Sequence, residues 1–141
     1  MKALVVDDDL ITRIVLQEIL SGYAEVHSCV DGNEAVLAYK RAIARGEPYD
    51  LVCMDVLMPV MGGIEALKLI RQEEELHGRA RPRATKVVIT TATDDKNTIS
   101  QAFRELCDAY VVKPIDTEEM IDVVRYLFPI EERSMSPASR G

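Results

Sequence analysis

Much of what commonly announces a function is missing from this sequence. It has only two histidines, His27 and His77, and neither has a neighbour at metal-ligand spacing, which argues against a zinc site. The three cysteines, Cys29, Cys53 and Cys107, are an odd number without a C-x-x-C pair. Two of them lie inside apolar segments, so buried free thiols in a reducing compartment fit better than a disulfide framework. No apolar run approaches the length needed to span a bilayer. The opening Met1-Lys2-Ala3-Leu4-Val5-Val6 meets acidic residues at once and so lacks a signal-peptide core. Membrane insertion is not expected, and the cytoplasm is the expected compartment. Basic residues are in deficit, 17 Lys and Arg against 24 Asp and Glu, for a net charge of −7. A chain of that sign is a poor direct partner for nucleic-acid phosphates. No internal repeat is visible.

What is present is the composition of one globular domain, 141 residues with 48% hydrophobic and 29% charged, long enough to bury its own core. An apolar strand, Lys2 to Val6, stops at Asp7-Asp8-Asp9. A helix follows with Ile11, Val15, Leu16, Ile19 and Leu20 as its apolar stripe, and Gly22 as its stop. Ala24 to Val30 alternates with Glu25, His27 and Ser28, as an edge strand does. Asp31-Gly32-Asn33 opens a second helix through Ala35, Val36, Tyr39 and Ile43, closed by Gly46 and Pro48. Tyr49 to Met54 is a third apolar strand, ending at Asp55. Met58-Pro59 and Gly62-Gly63 force a loop before a third helix, Ile64 to Leu76, with Leu67 and Ile70 inward and Glu73-Glu74-Glu75 solvated. The basic stretch from His77 to Arg83 reads as a solvated connector.

Lys86 to Thr91 is a fourth strand, β-branched and apolar. Asp94-Asp95 starts a fourth helix with a thin stripe of Ile99, Ala102, Phe103 and Leu106. Ala109 to Val112 is a fifth strand ending at Lys113-Pro114. Asp116 and Glu119 have capping-box spacing for a fifth helix, whose Met120, Ile121, Val124 and Leu127 face the sheet. After Pro129 periodicity disappears, so residues 1–129 are read as the domain and 130–141 as a disordered tail or truncated linker. Five βα units in succession imply an α/β fold, a doubly wound five-stranded parallel sheet with five helices on two faces. The order 2-1-3-4-5 fits best, because apolar strands one and three become central and polar strand two lies at the edge.

That order brings four polar groups to one end of the sheet, where open α/β sheets place their chemistry. They are Asp7-Asp8-Asp9, Asp55, Thr91 and Lys113. Neighbouring strands lie roughly 4.8 Å apart, so Asp55 falls beside both the acid cluster and Thr91. Lys113, two strands or roughly 10 Å away, reaches the site only with its long stem laid across the top. Carboxylates this close repel one another, and a hard divalent cation such as Mg²⁺ resolves the conflict. A cation, a nucleophilic carboxylate, a hydroxyl donor and an ammonium suit an acyl phosphate, so the expected chemistry is phosphoryl transfer onto Asp55. Each piece also has an ordinary reading: strand-end aspartates cap helices, and Asp9 is read as such a cap. The convergence of all four carries the argument.

The sequence resembles the receiver domain of two-component response regulators, of the single-domain chemotaxis type, from Lys2 to about Phe128. The resemblance rests on Val5-Val6-Asp7-Asp8, Met54-Asp55-Val56-Leu57-Met58-Pro59, Thr91-Ala92 and Tyr110-Val111-Val112-Lys113-Pro114, all in family order. The chemotaxis member of that family is itself a known example of the 2-1-3-4-5, flavodoxin-like order, so order and resemblance are not independent. The resemblance implies a reversible signalling switch rather than a turnover enzyme, one that takes part in its own phosphorylation and dephosphorylation. A histidine kinase or histidine phosphotransfer protein would donate a phosphoryl group to Asp55 with Mg²⁺ bound. Asp8 and Asp55 would be direct metal ligands, Asp7 a ligand through water, and the Leu57 backbone carbonyl a further ligand. Thr91 would bond a phosphoryl oxygen, Lys113 would pair with the phosphoryl group, and Lys113-Pro114 would be cis. Inward movement of Thr91 would let Tyr110 rotate in, changing the surface of the fourth helix, fifth strand and fifth helix that a downstream protein reads.

Two other classes are weighed against this. A haloacid-dehalogenase-type phosphatase also uses a strand-end Asp, Mg²⁺, Thr or Ser, and Lys. Its D-x-D pattern needs Thr or Val two places after the second Asp, and here Ile11 stands there with Thr12 one out of step. A degenerate receiver that only docks is opposed by the intact Asp55, Thr91 and Lys113. Within the receiver reading, Gly62 stands where the family often has Asp, and the loop from His77 to Thr85 is long. Leu57 and Thr93 occupy the positions that tune the lifetime of the phosphorylated state. Apolar Leu57 offers no side chain to orient an attacking water, so self-dephosphorylation is expected to be slow. The phosphorylated protein alone should decay with a half-life of minutes or longer in a time course after removal of phosphodonor. A half-life of seconds would refute the role given to Leu57.

Overall fold

The computed structural model describes residues 1–56, 58, 60–79, 84–92 and 106–129. Their elements run β1 (Lys2–Val6), α1 (Leu10–Leu20), β2 (Glu25–Cys29), α2 (Gly32–Ala44), β3 (Leu51–Asp55), α3 (Gly63–Leu76), β4 (Lys86–Thr91), β5 (Ala109–Val112) and α4 (Thr117–Leu127). The helix α4 is the fifth expected from the sequence. Of the expected fourth helix only Leu106 falls among the described residues, where it is helical; residues 93–105 and the expected tail, 130–141, lie outside them. The five strands form one parallel sheet in the order β2-β1-β3-β4-β5, as expected.

Both faces of the sheet are apolar, which is why the central strands read as unbroken hydrophobic runs. Alternate residues of each strand point to opposite faces. Leu4, Val6, Val52, Met54, Val87 and Ile89 pack with Tyr39, Leu67 and Ile70 of α2 and α3. Ala3, Val5, Leu51, Cys53 and Val88 pack with Leu16, Leu20, Met120 and Val124 of α1 and α4. Cys53, at the middle of the central strand, is wholly buried, and that burial pushes its thiol up to about 12. Helix starts are fixed locally by aspartates. Asp9 accepts from the Thr12 amide at 3.0 Å, Asp31 from the Glu34 amide at 2.9 Å, and Asp116 from the Glu119 amide at 2.9 Å.

Two expectations need correction. Ile11 was placed on the buried stripe of α1, yet it is 64% exposed, and Leu10 and Ile14 beside it are exposed too. The helix begins beyond the carboxyl end of β1, so its first turn has less sheet beneath it than the turns holding Leu16 and Leu20. Glu74 was expected in solvent and is instead 4% exposed. It accepts from Arg71 Nη1 at 2.8 Å and, through Oε2, from the Thr85 amide at 2.5 Å and the Tyr39 hydroxyl at 3.3 Å. Arg71 also donates to the backbone carbonyls of Thr85 and Leu106 and pairs with Asp108 Oδ2 at 3.2 Å. This buried network ties α2, α3 and the approaches to β4 and β5 together. Replacing Glu74 by Ala leaves the Thr85 amide and Arg71 short of acceptors in a buried setting, a loss of about 3 kcal/mol. A urea titration should show the midpoint falling accordingly. A change under about 1 kcal/mol would mean that water replaces the lost acceptor.

Candidate functional site

The site forms where β1 and β3 run out together. Register pairs Val6 with Met54, so Asp7 and Asp55 leave adjacent strands at the same level. Asp7 is fully buried and each of its polar groups is held by a different part of the chain. Its amide donates to the carbonyl of Cys29, the last residue of β2, at 3.2 Å, its carbonyl accepts from Arg13 Nη1 of α1 at 2.8 Å, and its Oδ1 accepts from the Asp9 amide at 2.9 Å. Its Oδ2 lies 2.8 Å from Lys113 Nζ. That contact is close but not well directed as a hydrogen bond, so it is best described as an ion pair. Lys113 Nζ also lies 3.3 Å from Asp55 Oδ2.

Asp55 is buried at the end of β3, paired in register with Thr90. Its position is fixed by close backbone packing. The Gly63 amide donates to the Val56 carbonyl at 2.9 Å, and a Cβ at Gly63 would run into the Asp55 carbonyl oxygen. Asp8 is exposed, yet one carboxylate oxygen from each of Asp7, Asp8 and Asp55 lies within 4.8 Å of the others. Burial works to lower the Lys113 pKa, but the close carboxylates of Asp7 and Asp55 outweigh it and hold the ammonium above its ordinary value. The site therefore carries three carboxylates, with the Lys113 ammonium set against Asp7 and Asp55 and the Arg13 guanidinium against the Asp7 carbonyl. Its excess negative charge and all-oxygen donor set fit a hard divalent ion.

The remaining candidates fall around this centre. Thr91 closes β4, buried, and its carbonyl accepts from the Lys113 amide at 2.6 Å. Tyr110 pairs in register with Ile89, on the same sheet face as Thr91, and is 40% exposed. The Lys113-Pro114 peptide is cis. Leu57 and Thr93 lie outside the described residues. Arg13 is the residue missed in the sequence. Its signal was available: it stands four residues after the cap Asp9, and helix side chains lean toward the amino end, here the acid cluster.

A parallel α/β sheet with acids after its first and third strands, a hydroxyl after its fourth and a lysine after its fifth defines a class of phosphoacceptor domain. Comparison with known proteins gives the family. The response regulator receiver domain profile matches residues 3–125, and the chain belongs to that family, the receivers of two-component signalling. It is 32% identical over 123 residues to the chemotaxis protein CheY of Treponema pallidum, covering 86% of this chain and 78% of that one. It is 32% identical over 133 residues to hybrid signal transduction histidine kinase G of Dictyostelium discoideum, covering 92% of this chain but spanning only 4% of the kinase. The receiver domain of the Arabidopsis thaliana histidine kinase CKI1, solved in complex with Mg²⁺ and BeF₃⁻, superposes with a TM-score of 0.74 at 28% identity. That match covers 91% of this chain and 89% of that one.

The close packing at Gly63 can be tested directly. Gly63→Ala should destabilise by about 2 kcal/mol, because backbone must move to admit the methyl group. Gly22→Ala, where nothing lies within 4 Å of the added carbon, serves as control. Equal urea midpoints for the two variants would show that the loop after β3 yields freely.

Proposed function

We propose that Asp55 accepts a phosphoryl group from a phosphohistidine on a sensor histidine kinase or histidine phosphotransfer protein. The observation that carries this is the Lys113 ammonium set between Asp7 and Asp55 at 2.8 and 3.3 Å. In the transfer an Oδ of Asp55 forms a bond to phosphorus as the histidine nitrogen–phosphorus bond breaks, giving a mixed anhydride. Water later attacks phosphorus, the Asp55 oxygen–phosphorus bond breaks, and inorganic phosphate leaves as the carboxylate returns. Asp8 and Asp55 are proposed to hold Mg²⁺ directly and Asp7 through water, with the Leu57 carbonyl as a further ligand. When bound there, Mg²⁺ would supply charge neutralisation for the transferred group.

Lys113 then exchanges its Asp55 contact for a phosphoryl oxygen, and the Thr91 hydroxyl donates to another. Moving Thr91 vacates space on the face it shares with Tyr110, whose ring turns inward. The change is read at the surface formed by residues 93–106, β5 and α4 by a downstream protein partner. Support for the metal comes from the acidic cluster and from the related receiver solved with Mg²⁺ and BeF₃⁻. Residues 1–129 are proposed as the working domain, acting in the cytoplasm, with chemistry confined to its own modification. No helix among the described residues is long and apolar enough to cross a membrane.

Incubation with acetyl phosphate should attach one phosphoryl group per chain in the presence of Mg²⁺ and none in EDTA. Asp55→Asn should abolish labelling, as read by intact-protein mass spectrometry. Steady turnover of a phosphate ester by the Asp55→Asn protein would instead point to a phosphatase.

A further inference from the structure

Arg13 stands one turn into α1 and sends its guanidinium back to the backbone between the first two acids, where Nη1 donates to the Asp7 carbonyl at 2.8 Å. That carbonyl belongs to the peptide joining Asp7 to Asp8. The other groups of Asp7 are fixed by Cys29, Asp9 and Lys113, so its side chain has no freedom left to lose. Asp8 differs. It is exposed, and the direction of its carboxylate follows the plane of the peptide that precedes it. We infer that Arg13 is a positioning residue for the divalent-cation site, clamping the Asp7–Asp8 peptide so that Asp8 is aimed before the ion arrives. The inference rests on the cation site proposed above and adds to it a residue that is not itself a ligand.

The anchor of Arg13 is itself rigid. Asp9 caps α1 through the Thr12 amide at 3.0 Å and the Thr12 hydroxyl at 2.7 Å, so the first turn is fixed against the loop that carries the ligands. The arginine thus acts on the site in two opposing ways. As a donor it pre-aims Asp8, which favours cation binding. As a positive charge near three carboxylates it competes with the incoming ion, which disfavours binding. Hydrogen bonds to groups that carry metal ligands commonly matter about tenfold or more in affinity. The charge effect across a solvent-open site is smaller. Orientation should therefore win, and the two effects carry opposite signs in a single measurement.

Mg²⁺ binding to the unphosphorylated protein should be measured by calorimetry for wild type, Arg13→Met and Arg13→Lys, with far-ultraviolet circular dichroism to confirm folding. Arg13→Met is expected to weaken binding by roughly tenfold despite removing a positive charge. Arg13→Lys, which keeps the charge and one donor but loses the planar fork, should fall between the two. Labelling of Arg13→Met by acetyl phosphate should be slow at low Mg²⁺ and recover toward wild type when Mg²⁺ saturates. Unchanged or tighter Mg²⁺ binding by Arg13→Met would overturn the positioning role and leave the arginine as a charge only. Absence of Mg²⁺ binding in wild type would overturn the cation site itself, a separate result. If Arg13→Met fails to fold, Arg13→Lys decides, with wild-type affinity counting against the clamp and weakened affinity for it.

Discussion

Two carboxylates are buried next to each other at the ends of the two central strands, and a single ammonium stands between them. Bringing Asp7 and Asp55 out of water is unfavourable, and bringing them together adds repulsion. Lys113 offsets both only because β5 lies two strands away and its side chain can lie across the top of β4. The arrangement thus depends on the sheet order as a whole. Exchange β4 with an edge strand, or shift β1 by one residue, and the acids no longer share their cation. Local sequence places an acid at the ends of β1 and β3, but only the parallel register puts those acids at one level.

The domain holds a second buried polar centre, and the contrast with the first is informative. Around Arg71, the partners Glu74, Thr85, Tyr39 and Asp108 supply donors and acceptors to one another through short, directed contacts. That centre is closed. It fastens helices to the approaches of β4 and β5, and its carboxylates are already engaged by Arg71 and by backbone and hydroxyl donors. The carboxyl edge is the reverse, with three carboxylates gathered against one ammonium and Asp8 still exposed to solvent. An unfinished balance of charge next to water is what allows a site to gain a cation or an anion and respond to it. A receiver has to do both in turn.

The sequence revealed the parts that depend on period and punctuation. Apolar runs ending at Asp7 and Asp55, the β-branched Lys86–Thr91 strand and the caps Asp9, Asp31 and Asp116 are local signals, and the structure keeps them. Glu74 was misread because a run of three glutamates looks solvated in any window. Its burial is set by Arg71 one turn earlier and by Thr85 across a loop. Ile11 was misread because helical period gives a stripe but not where the sheet beneath it ends. Arg13 was passed over because its partner is a backbone carbonyl: its place four residues after Asp9 says which way the side chain leans, but not which group it meets. Local chemistry was readable. What a neighbouring element covers, or donates to, had to be seen.

Cys53 gives the molecule something unrelated to its chemistry. It sits in register with Val5 and Val88 at the centre of the sheet, two residues before Asp55, wholly buried and with its proton held to about pH 12. Thiolate is the reactive form, so in the closed domain this sulfur is inert to alkylating and disulfide reagents. It becomes accessible only when the central strands separate, which for such a strand means opening of the whole domain. The rate at which Cys53 is modified is therefore a built-in clock for global unfolding. Any ion, partner or covalent change at the adjacent carboxyl edge that favours the closed domain should slow that clock, without a probe being added to the chain.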